Sequence, residues 1–188
     1  MRILLKLLIL IILISCKSTK TTEKEEEKVQ IKYESGELKL EGSYSNEYLP
    51  IYKLRIGEWK EFYKNGNLKS IGNYKIGQYE ECCTGGVCDG FYNYKIGQWT
   101  YFYENGKTKA EGKFDTEKFQ LNTYCEGGEK ISFGVINPEK WNFYDKMGNK
   151  MKPSQKDIQE IEQTKTNGAF PESTFSVDKG TKNIIWEQ

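Results

Sequence analysis

Apolar and polar residues alternate along "VQIKYESGELKLEGSY", residues 29–44. Val29, Ile31, Tyr33, Leu38 and Leu40 fall on one side of an extended chain. Gln30, Lys32, Glu34, Glu37, Lys39 and Glu41 fall on the other. A period of two with one apolar side marks a strand pair with one buried and one wetted face. Ser35-Gly36 separates the two runs, and the matching places further on hold Asn65-Gly66 and Asn105-Gly106. Such pairs suit a two-residue type I′ turn, which needs positive φ at both centres and fixes the strand register. That register sets Tyr33 against Leu38, Val29 against Gly42, Trp59 against Gly72 and Trp99 against Gly112. A large ring would then cover a residue with no side chain, a known packing device in sheets.

The pattern repeats. Gly57, Gly77 and Gly97 are twenty residues apart, and the segments they open align without a gap, with Trp59, Tyr79 and Trp99 superposed and then Gly66, Gly86 and Gly106. Weaker copies carry Leu121, Gly128 and Gly134, then Trp141, Tyr144 and Gly148. Six units therefore span residues 29–152, with an insertion near Asn46 to Leu54. The expected fold is all-β: stacked β-hairpin repeats forming an elongated antiparallel sheet, with Trp59, Tyr79, Trp99, Trp141, Gly66, Gly86, Gly106 and Gly148 as the repeat core. Phe62, Phe102 and Tyr144 recur on the polar face, where sheet packing is a better reading than a ligand platform. Residues 153–188 read as a short helix and a flexible tail. Ser154 and Asp157 form a capping-box pattern before Ile158 and Ile161, and Ile184, Ile185 and Trp186 are available to dock on the sheet end.

"GEWKEFYKNG" and "GQWTYFYENG" resemble the variant MORN repeat of bacterial proteins, often grouped with the YwqK-family antitoxins of toxin–antitoxin systems. The resemblance is strong over Gly57 to Phe114 and weak over the rest of 29–152. It implies a scaffold of stacked hairpins without catalytic residues, and lipid or protein binding is associated with related repeats.

The cysteines of "YEECCTGGVCDG" fall inside the third unit. The predicted register sets Cys83 opposite Cys88 across Gly85-Gly86, where a cross-strand disulfide is geometrically allowed. Cys82 points to the other face, and Cys125 lies two hairpins on. A structural disulfide, free thiols and a four-cysteine metal site are the three readings, and convergence of four sulfurs would require the sheet to break.

"MRILLKLLILIILISC" has Arg2 and Lys6 around an apolar run of export-signal length. Its close on Leu13, Ile14, Ser15 and Cys16 looks like a bacterial lipobox, which makes 1–15 a signal peptide and Cys16 the lipidated N-terminus. Residues 16–28 contain Lys, Glu, Thr and Ser but no apolar residue beyond Cys16, the composition of a solvated linker. Without 1–15 the chain holds 26 basic and 27 acidic side chains, so no basic field recruits nucleic acid. There is no histidine, which removes Ser-His and Cys-His pairs and the commonest metal ligand. No glycine pair leads into a phosphate-binding helix, and no cofactor is expected. The expected function is a non-enzymatic, lipid-anchored repeat scaffold for a protein or envelope component at a bacterial membrane, on the outer membrane or cell surface if the cell is Gram-negative. The alternative is an antitoxin-like partner of a toxin, which an exported chain would not meet in the cytoplasm.

Overall fold

The computed structural model describes residues 26–48, 53–121, 129–162, 165–167, 174–178, 180 and 182–187. The lipobox with Cys16, the signal sequence and Cys125 lie outside them. Strands β1 (Glu26–Lys32), β2 (Leu38–Ser45), β3 (Arg55–Phe62), β4 (Leu68–Cys83), β5 (Gly86–Phe102) and β6 (Thr108–Leu121) are neighbours in chain order in one sheet, and each of these pairs is antiparallel. The all-β antiparallel repeat architecture is therefore present. β1 starts at Glu26 and so takes in the last three residues, 26–28, of the expected linker.

The turns differ from the expected type. Tyr63 accepts from the Gly66 N–H at 2.9 Å and donates its own N–H to Asn67 at 2.8 Å, a pattern repeated at Tyr33, Tyr103 and Asp145. Gly66 has φ +85°, whereas Asn65 is not among the positive-φ residues. This is a three-residue loop, a type I turn closed by a left-handed glycine bulge, which asks positive φ of one residue instead of two. The bulge shifts the register by one between Glu61 and Phe62, so beyond it Trp59 still faces Gly72, and Trp99 faces Gly112. Nearer the turn the expected pairing fails, and Leu38 faces Lys32 instead of Tyr33.

The third unit departs further. Its turn centres on Thr84-Gly85, so Cys83 faces Gly86 and Cys88 faces Glu81, two residues from the expected register. An even shift keeps every side chain on its face. Cys83 and Cys88 are diagonal neighbours on one side, joined by a disulfide with Cα atoms 6.0 Å apart. Cys82 is also disulfide-bonded. Among the described residues no group of three or more potential ligands converges on a metal position.

Nor is the sheet one flat ladder. β7 (Glu129–Val135) pairs with the distal half of β6, and contacts both β4 and β5. Tyr92 on β5 donates its hydroxyl to the Ser132 carbonyl at 2.8 Å and accepts the Ser132 N–H at 2.9 Å. Tyr79, Tyr92, Tyr94, Phe119, Ile131 and Phe133 close a core there. The rungs Tyr74–Lys95 and Lys75–Tyr94 are consecutive, so they sit on opposite faces of the long β4–β5 hairpin. On the Tyr74 side lies a second core of Trp99, Ala110, Phe114, Trp141, Phe143 and Ile161. β8 (Asn142–Tyr144) pairs with β6 there and β9 (Lys150–Met151) with β8, and helix α1 (Gln155–Ile161) packs Ile161 into the core. Ser154 caps α1 in a reciprocal pair with Asp157. Where the sequence predicts a mobile tail, the structure has β10 (Lys165–Asn167), β11 (Thr174–Asp178) and β12 (Asn183–Glu187); β12 runs parallel to β6 at Gln120 and Leu121.

Candidate functional site

The repeat tryptophans are buried: Trp59, Trp99 and Trp141 are 2%, 3% and 4% exposed. Their rings do not cover the glycine paired with them in the same hairpin. A Cβ on Gly42 would collide with Trp59, one on Gly72 with Trp99 and one on Gly112 with Trp141, so each ring reaches back onto a glycine of an earlier repeat. Tyr79 does cover its own register partner, Gly90.

A bulge produces this reach. Ser43 pairs with Ile56 and Glu41 with Lys60, so two residue steps on β2 match four on β3. Asn73 with Ile96 and Ile71 with Thr100 repeat the mismatch between β4 and β5. Gly57 and Gly97 take the positive φ these bulges demand, +62° and +65°. The residue before each Ile-Gly is thereby drawn two rungs closer to its tryptophan than its sequence spacing allows. The Arg55 guanidinium lies 4.5 Å from the Trp59 ring centroid, and the Lys95 ammonium lies 5.0 Å from that of Trp99. Lys75, the matching residue of the third unit, has no bulge beside it and stays exposed.

Arg55 and Lys95 converge from the second and fourth repeats, which lie side by side in the sheet through the Ser70–Tyr101 rung, on a cleft of about 200 Å³. Tyr74 stands between them: it is the register partner of Lys95, and its hydroxyl accepts from Arg55 Nη1 at 3.4 Å. Lys95 Nζ donates to the Tyr101 hydroxyl at 2.9 Å and to the Ile161 carbonyl at 3.1 Å, so the end of α1 forms one wall. Lys60, Lys69 and Lys109 complete the cationic lining; Glu61 and Glu160 are its two carboxylates. Lys69 holds Glu61 at 2.8 Å, and Lys109 pairs with Glu160.

Burial shifts the ionisations of groups that line the cleft. Burial drives the Lys95 ammonium down to about 8, with the Glu61 carboxylate opposing and the Arg55 charge reinforcing. Tyr74 is raised by burial against the pull of Arg55, and Tyr101 is raised well above the ordinary phenol value, again chiefly by burial. Burial works against Lys69, but its hydrogen bond and charge contact with Glu61 leave it raised.

Of the residues singled out in the sequence, Trp59, Trp99 and Phe102 line this cleft, whereas Tyr79 belongs to the other core and Trp141, in one core with Trp99, is not part of the lining. Gly66, Gly106 and Gly148 are at the turn tips with positive φ, and Gly86, with φ +151°, closes the tight third turn. Arg55, Lys95, Tyr74 and Tyr101 were missed. Their signal was the basic residue before Ile-Gly-x-Trp in "RIGEW" and "KIGQW". Two stretches, residues 55–75 and 95–115, match the family described as MORN repeat variant, and they open on Arg55 and Lys95. No curated protein and no solved structure matches the chain.

Proposed function

We propose that the chain is a non-enzymatic binding scaffold, held by a lipid on Cys16 at a bacterial membrane, whose sheet presents the Arg55–Lys95 cleft to a protein or envelope component. The observation that supports it most is that the cleft is assembled from equivalent positions of the second and fourth repeats, which lie side by side in the sheet, so the repeat itself builds the recognition surface. The rigidity such a surface needs comes from bonds between successive turn tips. Tyr33 donates its hydroxyl to Phe62, Tyr63 to Phe102 and Tyr103 to Tyr144, all to backbone carbonyls at 2.7–2.8 Å. Asn65 and Asn105 add bonds to Glu104 and Lys146. The anchor rests on the lipobox-like Leu13 to Cys16, and attached acyl chains contribute about 0.8 kcal/mol per buried methylene.

Two measurements test the two halves. Metabolic labelling with a fatty-acid analogue should mark the wild type and not Cys16→Ala; label on the variant would refute the anchor. Crosslinking in intact membranes should capture the same partner band with wild type and with Lys118→Gln, an exposed change away from the cleft, and lose it with Arg55→Glu. A band that survives Arg55→Glu in a folded variant would move recognition off this face.

A further inference from the structure

Arg55 and Lys95 carry like charges toward one phenol. Arg55 donates to the Tyr74 hydroxyl, Lys95 is the register partner of Tyr74, and the Arg55 charge is felt at Lys95. Five cationic side chains line the cleft against two carboxylates, and each carboxylate is engaged by its own lysine. Among the described residues Arg55 forms no ion pair. Its guanidinium is instead held over two rings, 4.5 Å from the Trp59 centroid and 5.4 Å from that of Tyr74. One N–H of Nη1 goes to the Tyr74 hydroxyl, and the remaining N–H groups are the kind that grip a carboxylate or phosphate with two parallel bonds.

Bringing like charges together where water is partly excluded is unfavourable unless an opposite charge joins them. Two backbone bulges, each with a left-handed glycine, are spent on bringing these cations to neighbouring tryptophans. The third copy, with neither bulge nor convergence, leaves its Lys75 in solvent. The Tyr74 hydroxyl accepts from Arg55, and its own O–H is a further donor beside the cations; the Tyr101 hydroxyl accepts from Lys95 and donates to the Ile161 carbonyl at 3.4 Å. We infer that the cleft is a receptor for one small oxyanion group, a carboxylate or a phosphate, received between Arg55 and Lys95. The inference rests on the reading of this face as the recognition surface and names the chemistry it recognises.

The test uses the full chain in non-ionic detergent, titrated separately with inorganic phosphate and with acetate against chloride at equal ionic strength. Trp59 and Trp99, in contact with the two cations, report occupancy through their emission. A saturable change with phosphate or acetate, absent with chloride, is expected, and the arm that saturates at the lower concentration identifies the group. Arg55→Gln and Lys95→Gln should each weaken binding at least tenfold, while Lys118→Gln binds as wild type. Circular dichroism confirms that the variants are folded. Because Lys95 also holds Ile161, its variant is melted with and without the anion. A ligand site predicts that the anion raises the wild-type Tm and leaves that of Lys95→Gln unmoved. Responses to both anions that match chloride, or unchanged affinity in both folded variants, would overturn the inference. A flat titration alongside crosslinking that still depends on Arg55 would retire the oxyanion and leave the scaffold standing.

Discussion

At the residue scale, the fold turns on places where a ring and a glycine share one space, and on one cation partly withdrawn from water. A Cβ on Gly72 would enter the Trp99 ring, so Gly72→Ala must push that ring aside and should cost about 1–3 kcal/mol with a shift in tryptophan emission. Gly106 has nothing close to its Cβ position except the Asn67 side chain amide, but its φ is +82°. Gly106→Ala should therefore cost about 1–2 kcal/mol through backbone strain alone and leave the emission unchanged. Thermal melts with fluorescence on both variants separate crowding from strain. Lys95 gives a pH signature. Its proton leaves at about 8 in the native cleft, whereas an unfolded lysine holds its proton to about 10.4. Between these values the unfolded chain binds more protons, so this group makes stability rise with pH there, and its penalty is fully present below pH 8. Wild type should gain roughly 1–2 kcal/mol on Lys95→Met between pH 7.5 and 10, discounted for partial exposure. Urea melts of the pair at the two pH values measure it, and a constant difference would mean that Lys95 keeps an ordinary pKa.

At the scale of elements, hairpins, cap and the register away from the turns of the first, second and fourth units were legible because each is a local matter, whereas the third unit pairs two residues from the expected register. Alternation set the faces, Trp59 against Gly72 followed from where the turn lies, and Ser154 with Asp157 announced α1. The turn type was not legible, since Asn65-Gly66 fits both a two-residue loop and a three-residue loop with a bulge. The bulged loop also absorbs its extra residue and leaves the distant register unchanged. The cleft was hidden for a related reason. All three copies carry a basic residue before Ile-Gly, yet only Gly57 and Gly97 take positive φ, and that depends on the partner strand. The links between elements are hydroxyls that sequence alternation does not distinguish from core phenols. Tyr63→Phe keeps the ring and deletes its bond to the Phe102 carbonyl, so it should cost about 0.5–1.5 kcal/mol. Hydrogen exchange should quicken at the turns around Gly66 and Gly106 and stay unchanged at the Thr84-Gly85 turn, which the Cys83–Cys88 bond closes.

For the whole molecule, stacked repeats predict nearest-neighbour stability, in which damage fades along the array. The folding of β6–β7 over the long hairpin changes that expectation, because it joins units distant in sequence, and no pattern within a single repeat announces it. Trp59 and Trp99 test the difference. Trp59 packs on Gly42 and Tyr44 near the β1 edge, where Ile31 is 37% exposed and no further strand is described. Trp99 covers Gly72, meets Tyr74 edge-on at 5.3 Å and touches Phe114, which also approaches Gly134 of β7. It therefore sits where both layers meet. Trp99→Ala should cost about 3–5 kcal/mol and lower the single unfolding transition of the whole sheet. Trp59→Ala removes a ring equally buried, but one whose neighbours end at β1, the outermost described strand on that side. It should fray β1–β3 first, with fast hydrogen exchange confined to those strands and the β4–β7 amides as protected as in wild type. If Trp59→Ala instead exposes β4–β7 to the same degree as Trp99→Ala, the repeats unfold as one unit and the β1 end is no weaker than the centre.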